Sequence, residues 1–285
     1  MAKHFSMSLI YEVRLRENKP IVINYAGKKL FLYDESNAPI LCSARDIIFC
    51  LNQATQNSVY AYSNQIKEGF ICGPDGIRIG LSGECVCDEL GNVKNIKNIN
   101  SISIRVPHEV NNCAHTALAF ILNGGVKNTL IVGPPGSGKT TFLRDIAKTI
   151  SKKKLYNVLI IDERYEIAGG SALALNIGDT TDVLSGSNKT FAFNKAVKSL
   201  SPDVIICDEI TAISDAEAVN FAIKSGIKVI SSVHGTSLSD LYSKKFSKFL
   251  LDNQCFERMI FISSRNGPGT YEAILNENLC SIYSG

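Results

Sequence analysis

Eight consecutive residues, Gly133-Pro-Pro-Gly-Ser-Gly-Lys-Thr140, carry the spacing GxxxxGK[ST] and the residue types that suit the cradling of a triphosphate. Glycines at 133, 136 and 138 allow backbone amides to wrap an anion. Lys139 can reach the outer phosphates, and the Thr140 hydroxyl can bind Mg²⁺. The apolar run Thr129 to Val132 precedes the loop, and Thr141 to Ile150 follows with helical spacing, so it lies between a strand and a helix, the context the pattern requires. Gly133, Pro134, Pro135, Gly136, Ser137, Gly138, Lys139, Thr140 and Thr141 are therefore the expected contacts of a nucleotide, with ATP and Mg²⁺ as the implied ligands. A purely structural glycine-rich turn would have no use for the lysine.

A phosphate cradle also needs acidic groups to hold the metal's water shell. Asp203-Val-Ile-Ile-Cys-Asp208-Glu209 supplies two of them after an apolar run, so Thr140, Asp208 and Glu209 form the expected Mg²⁺ set, partly through water. A second run, Val158-Leu-Ile-Ile161, ends in Asp162-Glu163-Arg164 and brings further carboxylates to the same sheet edge. Two acidic edges exceed what the metal needs, so one carboxylate is free to orient or deprotonate the attacking water: Glu163 first, Glu209 second. A third tip, His234-Gly235 after Val229 to Ser232, places a histidine where it can sense the γ-phosphate. The competing readings are a strand end capped by charge and a histidine serving only as a structural donor.

The elements that position these residues follow from hydropathy. From about Asn111 the chain alternates strand and helix. Thr129 to Val132, Val158 to Ile161, Val204 to Cys207, Val229 to Ser232 and Met259 to Ile262 are continuous apolar runs, as expected of strands buried on both faces of a mostly parallel sheet. A hairpin is expected around Asn266 to Gly269. Before residue 110 the strands are short: Ile10 to Leu15, Ile21 to Asn24, Lys29 to Tyr33, Ile77 to Val86, Val93 to Ile96 and Ile102 to Val106, the last ended by Pro107. Turns are expected at 73–76 and at Gly91-Asn92, and a helix starting at Ser43 should bury Ile47, Ile48, Leu51 and Ala54. The expected organisation is thus an α+β domain over 1–110 followed by an α/β domain over 111–285.

The chain has 285 residues, 45% of them hydrophobic and 20% charged, a balance that supports packed cores rather than disorder. A net charge of +3 demands neither nucleic acid nor anionic lipid as a partner. The basic run Lys152 to Lys154 reads as cations at a helix C-terminus. Of nine cysteines, Cys42, Cys50, Cys72, Cys113, Cys207, Cys255 and Cys280 are expected as buried thiols. The Cys85/Cys87 pair has no second pair at zinc-site spacing. Met1 to Ile10 has no signal-like apolar core and no apolar run of membrane-spanning length occurs, so a cytoplasmic protein is expected, reaching a membrane only through partners.

Taken together, GPPGSGKTT, IIDERYEIAGG, SPDVIICDE and SSVHG resemble the secretion ATPases of bacterial type II and type IV systems and, more closely, the stage III sporulation AA family. EVRLR, GIRIGLSGE and SIRVPHEV extend the resemblance through nearly the whole chain. It implies a RecA-like P-loop core in which the four stretches serve as Walker A loop, aspartate box, Walker B strand and histidine box. It further implies a ring-shaped homo-oligomer, a hexamer, with N-terminal arginines reaching a neighbour's nucleotide. Arg78 and Arg105 match best; Arg14, Arg16 and Arg258 are alternatives, and surface strand residues are the plain reading. The family often has an arginine before its TDVL stretch where this chain has Asp179-Thr180-Thr181, which implies slow turnover. The implied role is an ATPase on the mother-cell side of a developing endospore, docked on integral membrane proteins of a channel into the forespore. A nucleic-acid motor on the same core and an ATP-regulated scaffold with little turnover are the competing functions.

Overall fold

The computed structural model describes residues 5–73, 77–106, 110–154, 156–168 and 176–285. The expected turn residues 74–76, the strand-ending Pro107, and Gly169-Gly170 lie outside the described residues. The chain divides into two compact units, one built on residues up to 109 and one comprising Val110–Ala168 and Asn176–Gly285.

In the first unit, β1 (Ile10–Arg16), β2 (Val22–Tyr25), β3 (Lys28–Phe31), β4 (Phe70–Cys72), β5 (Arg78–Cys87) and β6 (Val93–Arg105) form an antiparallel sheet in the order β3-β2-β1-β6-β5-β4. Helices α1 (Ala44–Ala54) and α2 (Ser63–Lys67) accompany it. As expected, Ser43 starts α1. Its hydroxyl accepts from the Asp46 amide while the Asp46 carboxylate accepts from the Ser43 amide at 2.7 Å, a reciprocal cap. Ile47 and Ala54 are buried with Leu15, Ile71, Ile79 and Ile102, but Ile48 is 56% exposed. One step of about 100° around the helix turns it away from the stripe that Ile47, Leu51 and Ala54 share.

The two strands expected at Val93 to Ile96 and Ile102 to Val106 are one. The pairing of β5 with β6 slips between Ser82↔Ser101 and Glu84↔Lys97, so β6 bulges through Asn98, at φ 48°. The bulge restores Ile96 and Ile99, three residues apart, to the core side, where a regular strand would put them on opposite faces. Gly83 makes room for it: a Cβ there would lie 2.6 Å from the Lys97 carbonyl oxygen.

The second unit begins with α3 (His115–Ile121) and then alternates. Its elements are β7 (Thr129–Gly133), α4 (Lys139–Lys154), β8 (Val158–Asp162), β9 (Thr181–Ser185), α5 (Lys189–Lys195), β10 (Val204–Glu209), α6 (Ile213–Lys224) and β11 (Lys228–His234), followed by α7 (Leu238–Ser243), α8 (Lys245–Asp252), β12 (Arg258–Ser263), β13 (Thr270–Asn276) and β14 (Ser281–Ser284). The sheet order is β14-β13-β12-β7-β11-β10-β8-β9. Strands β12 through β9 are mutually parallel, and β13 and β14 add antiparallel. The five expected strands are all present. Every residue of β7 and β8 is buried, and each Val, Leu or Ile so buried contributes roughly 1.5–3 kcal/mol of transfer free energy. Parallel strands place all their C-terminal ends at one edge, so β7, β11, β10 and β8 deliver Gly133, His234, Glu209 and Asp162 side by side.

Residues 152–154 form the last turn of α4, the helix C-terminus at which they were expected. Two features depart from expectation. Strand β9 and helix α5 lie where only a connection was read. Cys280 is exposed, Cys50 and Cys113 are half-buried, and only Cys42, Cys72, Cys207 and Cys255 of the seven are buried. Among the described residues no helix is long and apolar enough to cross a membrane.

Candidate nucleotide site

The loop between β7 and α4 has a conformation that its glycines alone permit. Gly136 and Gly138 sit at φ 75° and 92°, in the left-handed region that costs other residues about 1 kcal/mol or more. At Gly133 a Cβ would collide with the Ser137 hydroxyl and lie 2.8 Å from the Ile262 carbonyl oxygen. The β12–β13 hairpin pins the loop from outside, the Gly269 amide donating to the Ser137 carbonyl at 2.8 Å.

Lys139, only 7% exposed, donates to the carbonyls of Gly133 at 2.9 Å and Pro134 at 3.1 Å, and stands 2.8 Å from His234 Nδ1. An ammonium has no lone pair, so Nδ1 accepts, and Nε2–H donates to Glu209 Oε2 at 2.8 Å. Burial depresses the Lys139 pKa, against the pull of Glu209 and Glu166. The lysine is therefore held by its own loop and by the histidine tip, partners that a phosphate oxygen can replace.

Two buried charges face it across the sheet edge. Asp208 is 6% exposed; burial pushes its carboxyl up to about 6, although Lys189 pulls it back. Lys189, 3% exposed, lies 2.7 Å from Glu163 Oε2 and 2.8 Å from Asp208 Oδ1. Burial works against its charge, but Asp208 and Glu163 outweigh that and hold its pKa above the usual value. Asp162 belongs to the framework: fully buried, it accepts from the amides of Glu166, Ile167 and Ala168 at 2.7, 3.1 and 2.9 Å. Arg144 on α4 donates to the Ile167 and Glu166 carbonyls, tying this turn to the phosphate-loop helix.

These side chains surround a cavity of about 550 Å³ lined by Pro135, Gly136, Gly138, Lys139, Thr140 and Thr141 of the loop and by Glu163, Lys189, Asp208, Glu209 and His234. Gly133, Pro134 and Ser137 shape the loop without lining the cavity. Arg78 and Arg105 lie in the first unit, opposite each other on β5 and β6. Arg78 stacks 4.4 Å over the Phe70 ring and Arg105 is exposed. Arg14 is held by Glu12 at 2.7 Å, and Arg16 ends β1. Arg258 pairs with Thr129 at the start of β7 and with Glu277, so it stands at the sheet edge opposite the loop of its own chain.

The family profile described as "Sporulation stage III, protein AA" matches residues 2–282. This chain belongs to that family. The stage III sporulation protein AA of Bacillus subtilis (strain 168) is 34% identical over 275 residues, covering 94% of this chain and 87% of the relative. Among solved structures, the ATPase DotB of Legionella pneumophila aligns with a TM-score of 0.60 at 14% identity, over 94% of this chain and 77% of the other. The pilus retraction motor PilT with bound ADP aligns at 0.60 and 16% identity, over 88% and 74%. The fold is accordingly that of the RecA-like secretion ATPases, an α/β core preceded by a smaller α+β region.

Lys189, Arg164, Glu166, Thr211 and Pro268 also line the cavity and were not singled out from the sequence of this family member. Pro268 was within reach, because the hairpin that carries it was expected. Lys189 stands alone in Ser187-Asn188-Lys189-Thr190, a stretch with no spacing signal.

Proposed function

We propose that this chain is a Mg²⁺-dependent ATPase of the motor type that energises assembly of, or transport through, a channel between mother cell and forespore during endospore formation. One observation carries the reading: a glycine-built phosphate loop, its lysine, and the carboxylates of two further strand ends converge on a single cavity of about 550 Å³. The loop amides and Lys139 would hold the β- and γ-phosphates, with Lys139 exchanging the Gly133 and Pro134 carbonyls for phosphate oxygens. The residues fit a divalent cation: Asp208 and Glu209 bring carboxylates, and Thr140 a hydroxyl, to the lining of this cavity. When bound, Mg²⁺ would neutralise phosphate charge.

In hydrolysis the oxygen of water bonds to the γ-phosphorus, the bond to the bridging oxygen breaks with its electron pair leaving on ADP, and a carboxylate accepts the water proton. His234 is hydrogen-bonded to both Lys139 and Glu209, and through these bonds it would register loss of the γ-phosphate. The chain is read as acting in a ring of identical copies, a hexamer, with Arg78 or Arg105 of one copy serving a neighbour's nucleotide. Its setting is cytoplasmic, held at a membrane by integral membrane partners, and no nucleic acid is required. Phosphate release from ATP with Mg²⁺ tests the reaction. Wild type should turn over and Lys139→Ala should not; equal rates in the two would end the assignment.

A further inference from the structure

Lys189 is a buried cation that no local structural need explains. It is the first residue of α5, where the helix dipole favours anions and disfavours an ammonium. The N-terminus of that helix is already capped by Asn188, whose side chain accepts from the Phe191 amide at 2.9 Å. Burying a lysine to 3% exposure is unfavourable unless its charge is matched. Here it is matched twice, by Glu163 from the end of β8 and Asp208 from the end of β10.

The turn that delivers Lys189 is itself constrained. Ser185 pairs with Asp162 in the β8–β9 ladder, the Gly186 amide donates to the Asp162 carbonyl at 3.2 Å, and Gly186 adopts φ 72° under the Tyr165 hydroxyl, where a Cβ has no room. The chain is thereby turned at Gly186, and α5 starts with Lys189 over the ends of β8 and β10.

We propose that Lys189 is a positioning residue for ATP hydrolysis: by bridging Glu163 and Asp208 it makes Glu163, rather than Glu209, the carboxylate that orients the attacking water. The two candidate carboxylates have different partners. Glu209 is engaged by His234, which is itself bonded to Lys139, and so belongs to the phosphate-sensing chain. Glu163 has one oxygen on Lys189 and a side chain 38% exposed in the cavity wall, which leaves its second oxygen for water.

This inference rests on the ATPase reading, and the experiment separates the two. Steady-state hydrolysis and binding of a fluorescent ATP analogue are measured for wild type, Lys189→Met, Lys189→Gln, Lys189→Arg, Glu163→Gln, Glu209→Gln and Lys189→Met/Glu163→Gln. Loss of Lys189 should lower kcat by roughly 10²-fold, within the range of general-base effects, while KM and analogue affinity stay within about threefold of wild type. Lys189→Arg should recover most of kcat, because the charge and both pairs can be remade. Glu163→Gln should be the more damaging of the two glutamate changes, and adding Lys189→Met to it should lower kcat little further, the signature of residues acting as one unit. Lys189→Gln should fall between Met and Arg, and it decides the matter if the Met variant does not fold. Wild-type turnover matched by Lys189→Met or Lys189→Gln, or losses that multiply in full with Glu163→Gln, would overturn the role of Lys189 alone. A wild type that binds the analogue and never hydrolyses ATP would overturn the ATPase reading and this role with it.

Discussion

The two edges of the central sheet use the same residue types to opposite ends. At the edge where β7, β11 and β12 begin, Glu257 accepts from Lys127 at 3.0 Å, Lys228 at 2.9 Å and the Asn128 amide at 3.0 Å. Burial acts to raise its pKa, but Lys228, the Asn128 amide and Lys127 outweigh that and hold it at about 2. Asn128 completes the clamp by accepting from the Val229 amide at 2.9 Å. At the edge where β7, β10 and β11 end, burial prevails: Asp208 is pushed up to about 6 and Lys139 down. Charge that its neighbours match in full stabilises a fold, whereas buried charge that they offset only in part is left for a ligand and makes a site.

That contrast can be broken from either side. The largest effect is expected at the loop, where Lys139→Ala should reduce ATP turnover by roughly 10³-fold or more while shifting the melting temperature by no more than a few degrees, read by phosphate release and calorimetry. Gly138→Ala should follow. A Cβ at φ 92° strains the loop by roughly 1–2 kcal/mol and should weaken ATP-analogue affinity about tenfold or more in a titration, leaving α4 folded by circular dichroism.

The opposite edge should respond in stability alone. Glu257→Gln should cost about 1–2 kcal/mol at pH 7, after discounting for solvent screening, with turnover at permissive temperature unchanged. The sign follows from a folded pKa below the unfolded one. The contribution is complete above the unfolded value near 4.5 and is lost as pH falls toward about 2, so the variant and wild type should converge in denaturant melts across that window. The smallest effect belongs to Lys228→Met, about 0.5 kcal/mol, because Lys228 is 39% exposed and Lys127 remains on the same carboxylate. Loss of turnover in Glu257→Gln at full stability would erase the distinction between the edges.

Much of this was legible in the sequence because the signals were local. The loop announces itself through glycine spacing, and β7, β8, β10, β11 and β12 through unbroken apolar runs that only two-faced burial explains. Strand β9 was hidden because Thr181-Asp-Val-Leu-Ser185 is a sheet edge, with one residue exposed and the rest half-buried. Strand β6 was split in two because its bulge at Asn98 breaks the period of two. Asp162 and Glu163 are neighbours of one type, yet Asp162 turns to three backbone amides and Glu163 to the cavity. No spacing separates those fates; the direction of the chain after β8 does. Lys189 was invisible for a related reason, since its partners lie 26 and 19 residues away in sequence and meet it only through the order of strands.

A crystal structure of the chain with Mg²⁺ and a non-hydrolysable ATP analogue bears most directly on the claim that the C-terminal sheet edge is an ATP site. Lys139 Nζ should have left the Gly133 and Pro134 carbonyls and His234 for the β- and γ-phosphates, with the Glu257 clamp unmoved. An analogue bound elsewhere, or a triphosphate in the cavity with Lys139 still on its own carbonyls, would contradict the account.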